Sequence, residues 1–244
     1  MLLPTTRFTL AAFGMSLLSV FTPGCNRFGG PPTIRGSGVA KTEVRQVGDF
    51  SGIEVGGNVE LEVKVGPAAS LEVTTDDNLL PHVHTKMAGD RLSIYTEGSY
   101  WTKLGVKVAV STPTLRSLTA EGATTARVRD VSGGEFKLNV SGTSSCDLAG
   151  SADAILLDVA GASRATLTGS AERLEVDCSG SSEVEAMGMK VKIARAEATG
   201  ASAVRLAATD ALDLQASGAS TIRYTGSAAK VEQEVSGASS IAAE

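Results

Sequence analysis

A short corner of small residues returns through the second half of the sequence at a nearly fixed interval. Each corner begins with glycine, as in Gly-Ala-Ser at 161–163 and Gly-Ser-Ser at 180–182. Successive corners are 18 to 20 residues apart, and they begin at Gly122, Gly142, Gly161, Gly180, Gly200, Gly218 and Gly237. A repeat of about 20 residues is typical of a solenoid, in which each turn of the chain stacks on the one before.

Between the corners, apolar and polar residues alternate with a period of two. In the turn that begins at Gly142, Cys146 and Leu148 are apolar and Asp147 between them is charged. This alternation is typical of strands that bury one face, and residues 37–120 show it as well, with less regular spacing. The sequence therefore predicts an all-β, right-handed parallel β-helix with rungs of about 19 residues.

The third residue of each corner carries a hydroxyl. Stacking of the corners therefore predicts a column of hydroxyls, here called the hydroxyl ladder, along one edge of the prism that the β-helix forms. After Thr124 the ladder consists of Ser144, Ser163, Ser182, Ser202, Ser220 and Ser239. Hydroxyls in turns bond neighbouring backbone groups, so we expect a structural turn ladder, with ligand contact as the alternative. A second corner is expected at Gly150, Gly169, Gly188, Ala207 and Gly226.

The N-terminus has the pattern of an export signal. Residues 1–24 contain Arg7 followed by an apolar run from Phe8 to Phe21, which is short for a membrane span. Gly24-Cys25 resembles the lipobox of bacterial lipoproteins, in which the cysteine is acylated; ordinary secretion is the alternative. Residues 25–36 are rich in Gly and Pro and predict a tether, which leaves 37–244 as a single domain.

Charge and composition narrow the classes of partner. The formal net charge is −5, and the Lys and Arg residues are scattered, which argues against nucleic acid. Cys146 and Cys178 fall on the apolar face of the repeat, so we expect buried free thiols, with a disulfide as the alternative. We expect no cofactor.

Tyr100-Trp101 is the most suggestive candidate for ligand binding. Trp101 is the only tryptophan, and aromatic side chains on a loop can stack on sugars or anchor a protein interface. The alternative is a cap over one end of the prism, where an apolar core must be closed.

Other candidate chemistries are weaker. His82 and His84 would share one face of a strand, but no further metal ligand is adjacent, so we expect no metal site. The residues that face outward at one position of successive rungs form an outward ladder, which runs Arg127, Asp147, Thr166, Glu185, Arg205 and Arg223. Asp147 and Glu185 are its two acids, and strand spacing puts them about 10 Å apart. That separation is wide for a pair of glycosidase carboxyls, so we expect no enzyme.

The chain resembles a known family over about residues 37–240. The run around Phe50-Ser51-Gly52-Ile53, the Asp77-Asn78-Leu79-Leu80 segment and the repeated corners are similar to the bacterial auto-transporter adhesin head domain, the GIN-type domain. The resemblance implies a β-helical body with an export or lipoprotein signal.

A non-enzymatic adhesion or scaffold module of the cell envelope is the function that this resemblance favours. We expect an outer-membrane lipoprotein that meets a glycan or surface protein, and that could self-associate through open β-helix ends. The alternatives are a polysaccharide-acting enzyme, or a periplasmic sensor or assembly partner.

Overall fold

The computed structural model describes residues 33–244. The predicted signal peptide, Cys25 and most of the predicted tether lie outside the described residues. The last part of that tether differs from expectation, because Ile34–Arg35 forms a strand. The strands in chain order are β1 Ile34–Arg35, β2 Ala40–Arg45, β3 Gly52–Gly56, β4 Glu60–Val65, β5 Ser70–Asp76, β6 Val83–Ala88, β7 Arg91–Thr96, β8 Tyr100–Trp101, β9 Lys107–Thr112, β10 Ser117–Ala120, β11 Thr125–Ser132, β12 Glu135–Val140, β13 Ser145–Val159, β14 Arg164–Cys178, β15 Glu183–Ala198, β16 Ala203–Ala207, β17 Ala211–Ala216, β18 Thr221–Thr225, β19 Lys230–Val235 and β20 Ser240–Ala243.

The second half of the chain is the predicted β-solenoid, with about seven turns and rungs about 19 residues apart. Strands β13 and β14 show the stacking most fully, since they pair in parallel from Ser145 with Arg164 to Val159 with Cys178. Because alternate residues face inward, each rung adds a layer of Val, Leu, Ile and Ala to one continuous core.

The first half builds the same prism with a different chain path. The rung β3–β4 lies between the rung β7–β9 and the rung β10–β11, and all of these contacts are parallel. Beyond β7 and β9 the neighbours become antiparallel: β6 pairs with β7, and β5 pairs with β9 and β2. These antiparallel strands cover the end of the prism nearest the start of the described chain.

Cys146 and Cys178 lie in the core as free thiols, which confirms the expectation of unpaired cysteines. Burial raises the pKa of Cys146 to about 12 and that of Cys178 to about 11. Both thiols are therefore neutral under ordinary conditions and pack as small apolar groups.

The second corner departs from the predicted alignment. Gly169 lies beside Met189 instead of Gly188, because the β14–β15 register shifts between Thr166 and Thr168. A bulge of this kind adds a residue to one strand only, so equal spacing in sequence does not guarantee the same place in the stack. Likewise Gly226 stacks on Ala208 instead of Ala207.

Among residues 33–244 there is no helix with the length and apolar character needed to cross a bilayer.

Candidate functional site

Tyr100 and Trp101 lie on a strand, not on the loop that the sequence predicted. This strand, β8, pairs in parallel with β1, so that Ile34 is opposite Tyr100 and Arg35 is opposite Trp101. Two backbone hydrogen bonds flank this pairing. The N–H of Ile34 donates to the carbonyl of Ser99, and the N–H of Gly36 donates to the carbonyl of Trp101, both at 2.8 Å. The two aromatic residues are therefore fixed against the beginning of the described chain.

The two aromatic side chains have different environments. Tyr100 is partly buried against the core, and its hydroxyl donates to the carbonyl of Asn58 at 3.0 Å. Trp101 is 48% exposed, and the guanidinium carbon of Arg35 lies 5.2 Å from the centre of its ring. Of these two residues, Trp101 is thus the one that presents its aromatic ring to an outside partner, with a cation stacked on it.

The segment 33–39, here called the strap, is held by the Asp77-Asn78 pair. Asp77 Oδ1 accepts the Ser37 hydroxyl at 2.5 Å, and Asn78 Oδ1 accepts the Ser37 N–H at 2.9 Å. The Asn78 amide donates to the carbonyl of Arg35 at 2.8 Å. Part of the motif that identified the family in the sequence therefore fastens the strap to the solenoid.

Asp76 is the buried member of the same loop. It accepts hydrogen bonds from the Thr102 hydroxyl and, at 2.5 Å, from the N–H of Gly38. The Thr102 bond lowers the pKa of Asp76, burial opposes this, and the Gly38 bond lowers it further. A side chain on Gly36 would lie 2.6 Å from the Asp76 carboxyl carbon, so the carboxylate also sets how closely the strap approaches.

A groove with a mixed polar and apolar lining, which the sequence does not predict, runs along the second corner in the first half of the chain. It consists of two adjoining cavities of about 380 and 620 Å³, which share Ser51, Asp90, Thr114 and Arg116. Lys137 lines the larger one. The Ser51 hydroxyl donates to Asp90 at 2.7 Å. The groove thus combines both signs of charge with several hydroxyls.

The groove forms where the corner loops are long. The loops that enclose it join β2 to β3, β6 to β7, β9 to β10 and β11 to β12. In the later turns the same corner is tight, since a side chain on Gly150 or Gly169 would strike the backbone of the preceding rung. A sequence signal exists in Pro113 and in Gly133-Gly134, but it does not show that these loops adjoin one another.

The two histidines do not lie on one strand as expected. His82 ends a 3₁₀ turn, Leu80–His82, whereas His84 lies on β6. His84 stacks on Tyr95 with ring centres 5.2 Å apart and contacts Glu97 at 2.9 Å. Within residues 33–244, no group of three or more His, Cys, Asp or Glu side chains is placed to hold a metal ion.

The hydroxyl ladder lies at the first corner with five of its six serines buried. Ser144, Ser163, Ser182, Ser202 and Ser220 are each at most 3% exposed, and Ser239 in the last turn is half-buried. The single hydroxyl hydrogen of Ser202 is shared between the carbonyls of Thr199 and Cys178, at 2.9 and 3.1 Å from Oγ. Ser163 Oγ has no hydrogen-bond partner among the described residues.

The outward ladder contains Asp147 and Glu185 in the order that the sequence indicated. The register places Thr166 between them, so they are two rungs apart. Glu185 forms an ion pair with Arg205 at 3.1 Å. The outer face therefore carries mixed charge at this point, with Glu185 paired to a cation.

One family model matches residues 49–228, and it describes a "Putative auto-transporter adhesin, head GIN domain". The chain belongs to this family. This membership confirms the resemblance seen in the sequence, and it indicates a bacterial, exported protein associated with the cell envelope. Among proteins of curated function, none matches the sequence.

Solved structures of similar fold support the architecture. A Bacteroides fragilis protein described as a putative adhesin is 17% identical, with a TM-score of 0.83, over 86% of this chain and 100% of its own. A putative adhesin from Parabacteroides merdae is 22% identical, with a TM-score of 0.73, over 87% and 99%. A Parabacteroides distasonis protein described as a putative lipid binding protein is 20% identical, with a TM-score of 0.71, over 87% and 100%. At these identities the likeness shows the fold alone.

Proposed function

We propose that the protein is a non-enzymatic binding module of the bacterial outer membrane, held there by a lipid on Cys25. Its solenoid presents a rigid polar surface to an extracytoplasmic glycan or surface protein. The lipid anchor is inferred from Gly24-Cys25 in the sequence, a segment outside the described residues. An acyl chain contributes about 0.8 kcal/mol of membrane affinity per buried methylene, so a diacylated cysteine anchors stably.

The groove carries the binding part of the proposal. Saccharides and peptides present hydroxyls, amides and carboxylates, which need donors and acceptors close together. Arg116 supplies donors, Asp90 supplies acceptors, and Ser51 and Thr114 supply hydroxyls in one concave surface. The backbone N–H of Arg116 donates to Ser51 O at 2.7 Å, so the loops that bring these groups together are bonded to each other.

The flank of the prism supports the scaffold role. Across the outer face of successive rungs, Arg127 lies 3.8 Å from Glu62, and Arg205 bridges Glu185 at 3.1 Å and Glu244 at 2.8 Å. Exposed ion pairs of this kind add little stability. They do keep the outward sheet face charged, so no large apolar patch forms there, which suits a protein displayed at the cell surface.

A glycan array tests the proposal. The domain from Asn26 to Glu244 is compared with its Arg116→Ala and Trp101→Ala variants, after each is shown to melt like the parent. Binding that is lost in Arg116→Ala and kept in Trp101→Ala supports the groove. If glycan binding is lost in Trp101→Ala and kept in Arg116→Ala, the binding site is at Tyr100-Trp101 instead of the groove. A blank array, with one specific protein recovered in pull-down, replaces glycan binding with a sensor or assembly role.

A further inference from the structure

The exposed tryptophan lies next to the point where the described chain begins. Strand β1 starts at Ile34, directly beside β8, and the Trp101 ring is flanked by Arg35. Val39, at the other end of the strap, is 59% exposed. An aromatic ring, a cation and an aliphatic side chain therefore lie along one short segment at this end of the solenoid.

The chain between this segment and Cys25 is short. From Cys25 to Thr33 there are eight residue steps by sequence number. A fully extended chain spans at most about 3.5 Å per residue, which limits the separation of Cys25 from Thr33 to about 28 Å. If Cys25 carries the lipid, the strap is kept close to the membrane surface.

The strap cannot swing away freely from the solenoid. It is paired with β8 through Ile34 and Gly36, and it is bonded to Asp76, Asp77 and Asn78 through Ser37, Gly38 and Arg35. The strap and the Trp101 ring beside it therefore keep a fixed place on the solenoid. If a bilayer holds Cys25, the short linker keeps both within reach of the headgroup layer.

The side chains at this end suit the headgroup layer of a bilayer. Tryptophan is enriched at the membrane–water interface because its ring is apolar and its N–H is polar. The Arg35 guanidinium, which lies over the ring, has planar N–H donors that can bind a lipid phosphate. These are the two groups that the strap and β8 expose together.

We propose that Trp101 and Arg35 contact the phospholipid headgroups of the membrane that anchors the protein. The inference rests on the proposed Cys25 anchor and adds an orientation to it: the end with Trp101 faces the lipid and the later rungs point away. The groove and the flank then remain open to partners, whereas Trp101 does not.

The lone tryptophan allows a direct test without any label. The full chain is produced in a bacterium that acylates lipoproteins and is purified in detergent. It is then mixed with phosphatidylcholine vesicles, and with matched vesicles whose acyl chains carry bromine near the headgroup. Flotation shows whether the protein is membrane-bound. In the bound protein we expect Trp101 emission to shift to shorter wavelength and to lose intensity in the brominated vesicles.

A matched control places the tryptophan on the side of the prism. Ile193 is 46% exposed, close to the exposure of Trp101. Ile193 lies on β15, which is six strand pairings from β7, the strand just before Trp101. The path runs from β7 through β3, β10, β12, β13 and β14 to β15. At about 4.8 Å per strand this is about 29 Å. In the double variant Trp101→Phe, Ile193→Trp we expect flotation without quenching.

The outcomes separate the two proposals. If the protein floats and Trp101 is quenched while Trp at 193 is not, the orientation is supported. If the protein floats and Trp101 emission is unchanged, the anchor stands and the orientation is overturned, which returns Trp101 to the role of a site for a soluble ligand. If the full chain does not float, the anchor and the orientation both fail.

Discussion

Gly142 stacks on Gly122 so closely that a Cβ on Gly142 would lie 2.5 Å from the Gly122 carbonyl oxygen. The same oxygen accepts the N–H of Thr143 at 2.7 Å. The later corners of this column repeat the relationship, with distances of 2.6 to 2.7 Å from each added Cβ to the glycine before it. The backbone of each corner therefore occupies the space that any side chain would need.

Replacing Gly142 with alanine should destabilise the solenoid by about 3 kcal/mol or more, because strain at positive φ is added to overlap with the previous rung. Gly98→Ala separates the two causes. Gly98 has φ 79°, against 80° for Gly142, but nothing lies within 4 Å of its added Cβ. We expect this control to cost about 1 kcal/mol. Urea unfolding measures both, and equal losses would contradict the stacking argument.

The regular turns could be predicted because period and alternation are local in sequence. The glycines at Gly161 and Gly180 mark the corners, and the inward residues between them occupy the core as expected. Each turn repeats the one before, so a pattern read in one turn carries over to the next.

The remaining features depend on contacts between distant segments. The β14–β15 register shift puts Met189 where Gly188 was expected, and nothing in the spacing reveals it. The strap meets Asp77 and Asn78 across about 40 positions of sequence, as in the Ser37 to Asp77 bond. The groove requires loops from different rungs. Sequence reasoning finds residues of the right kind in each case, but not which of them meet.

Ser163 and Ser202 should respond in opposite directions to the same substitution. Ser163 Oγ is buried without a partner among the described residues, so Ser163→Ala removes an unsatisfied hydroxyl and should stabilise the fold by up to about 1 kcal/mol. The Ser202 hydroxyl hydrogen is shared between two carbonyls, and Ser202→Ala should cost about 1 kcal/mol. Thermal unfolding of the two variants checks this, and a loss in Ser163→Ala as large as that in Ser202→Ala would show a hidden partner.

The core thiols should resist alkylation while the protein is folded. With Cys25 replaced by serine, Cys146 and Cys178 are the remaining cysteines. Their pKa values of about 12 and about 11, raised mainly by burial, leave almost no thiolate at neutral pH. We expect iodoacetamide to modify neither in buffer and both in guanidinium. Modification of Cys146 in the folded protein at the rate of a free thiol would contradict its place in the core.

The same thiols should weaken the fold at high pH. A raised pKa means that the folded state holds the proton more tightly, so this stabilising contribution is complete below the ordinary value of 9.0. It is lost as the pH rises toward about 12 for Cys146. As the pH is raised from neutral to alkaline, the melting temperature of Cys146→Ala should fall less steeply than that of the parent protein. If the melting temperatures of both proteins fall equally with pH, ionisation of Cys146 does not weaken the fold.

Asp76 should hold the strap only while it is ionised. Its pKa lies below the ordinary 3.8, chiefly through the Thr102 hydroxyl bond, so its stabilising contribution is complete above 3.8 and is lost as the pH falls through the lower folded value. Asp76→Asn should have the same effect at neutral pH. Hydrogen exchange at Gly38, whose N–H the carboxylate accepts, should become faster, and Trp101 emission should change as the β1–β8 pairing loosens.

Asp153→Asn is the matched control, since Asp153 accepts a single N–H, from exposed Gly134 at 3.2 Å, far along the chain from the strap. If Gly38 exchanges equally slowly in both variants, the strap is held by β8 pairing and by Asn78 instead of Asp76.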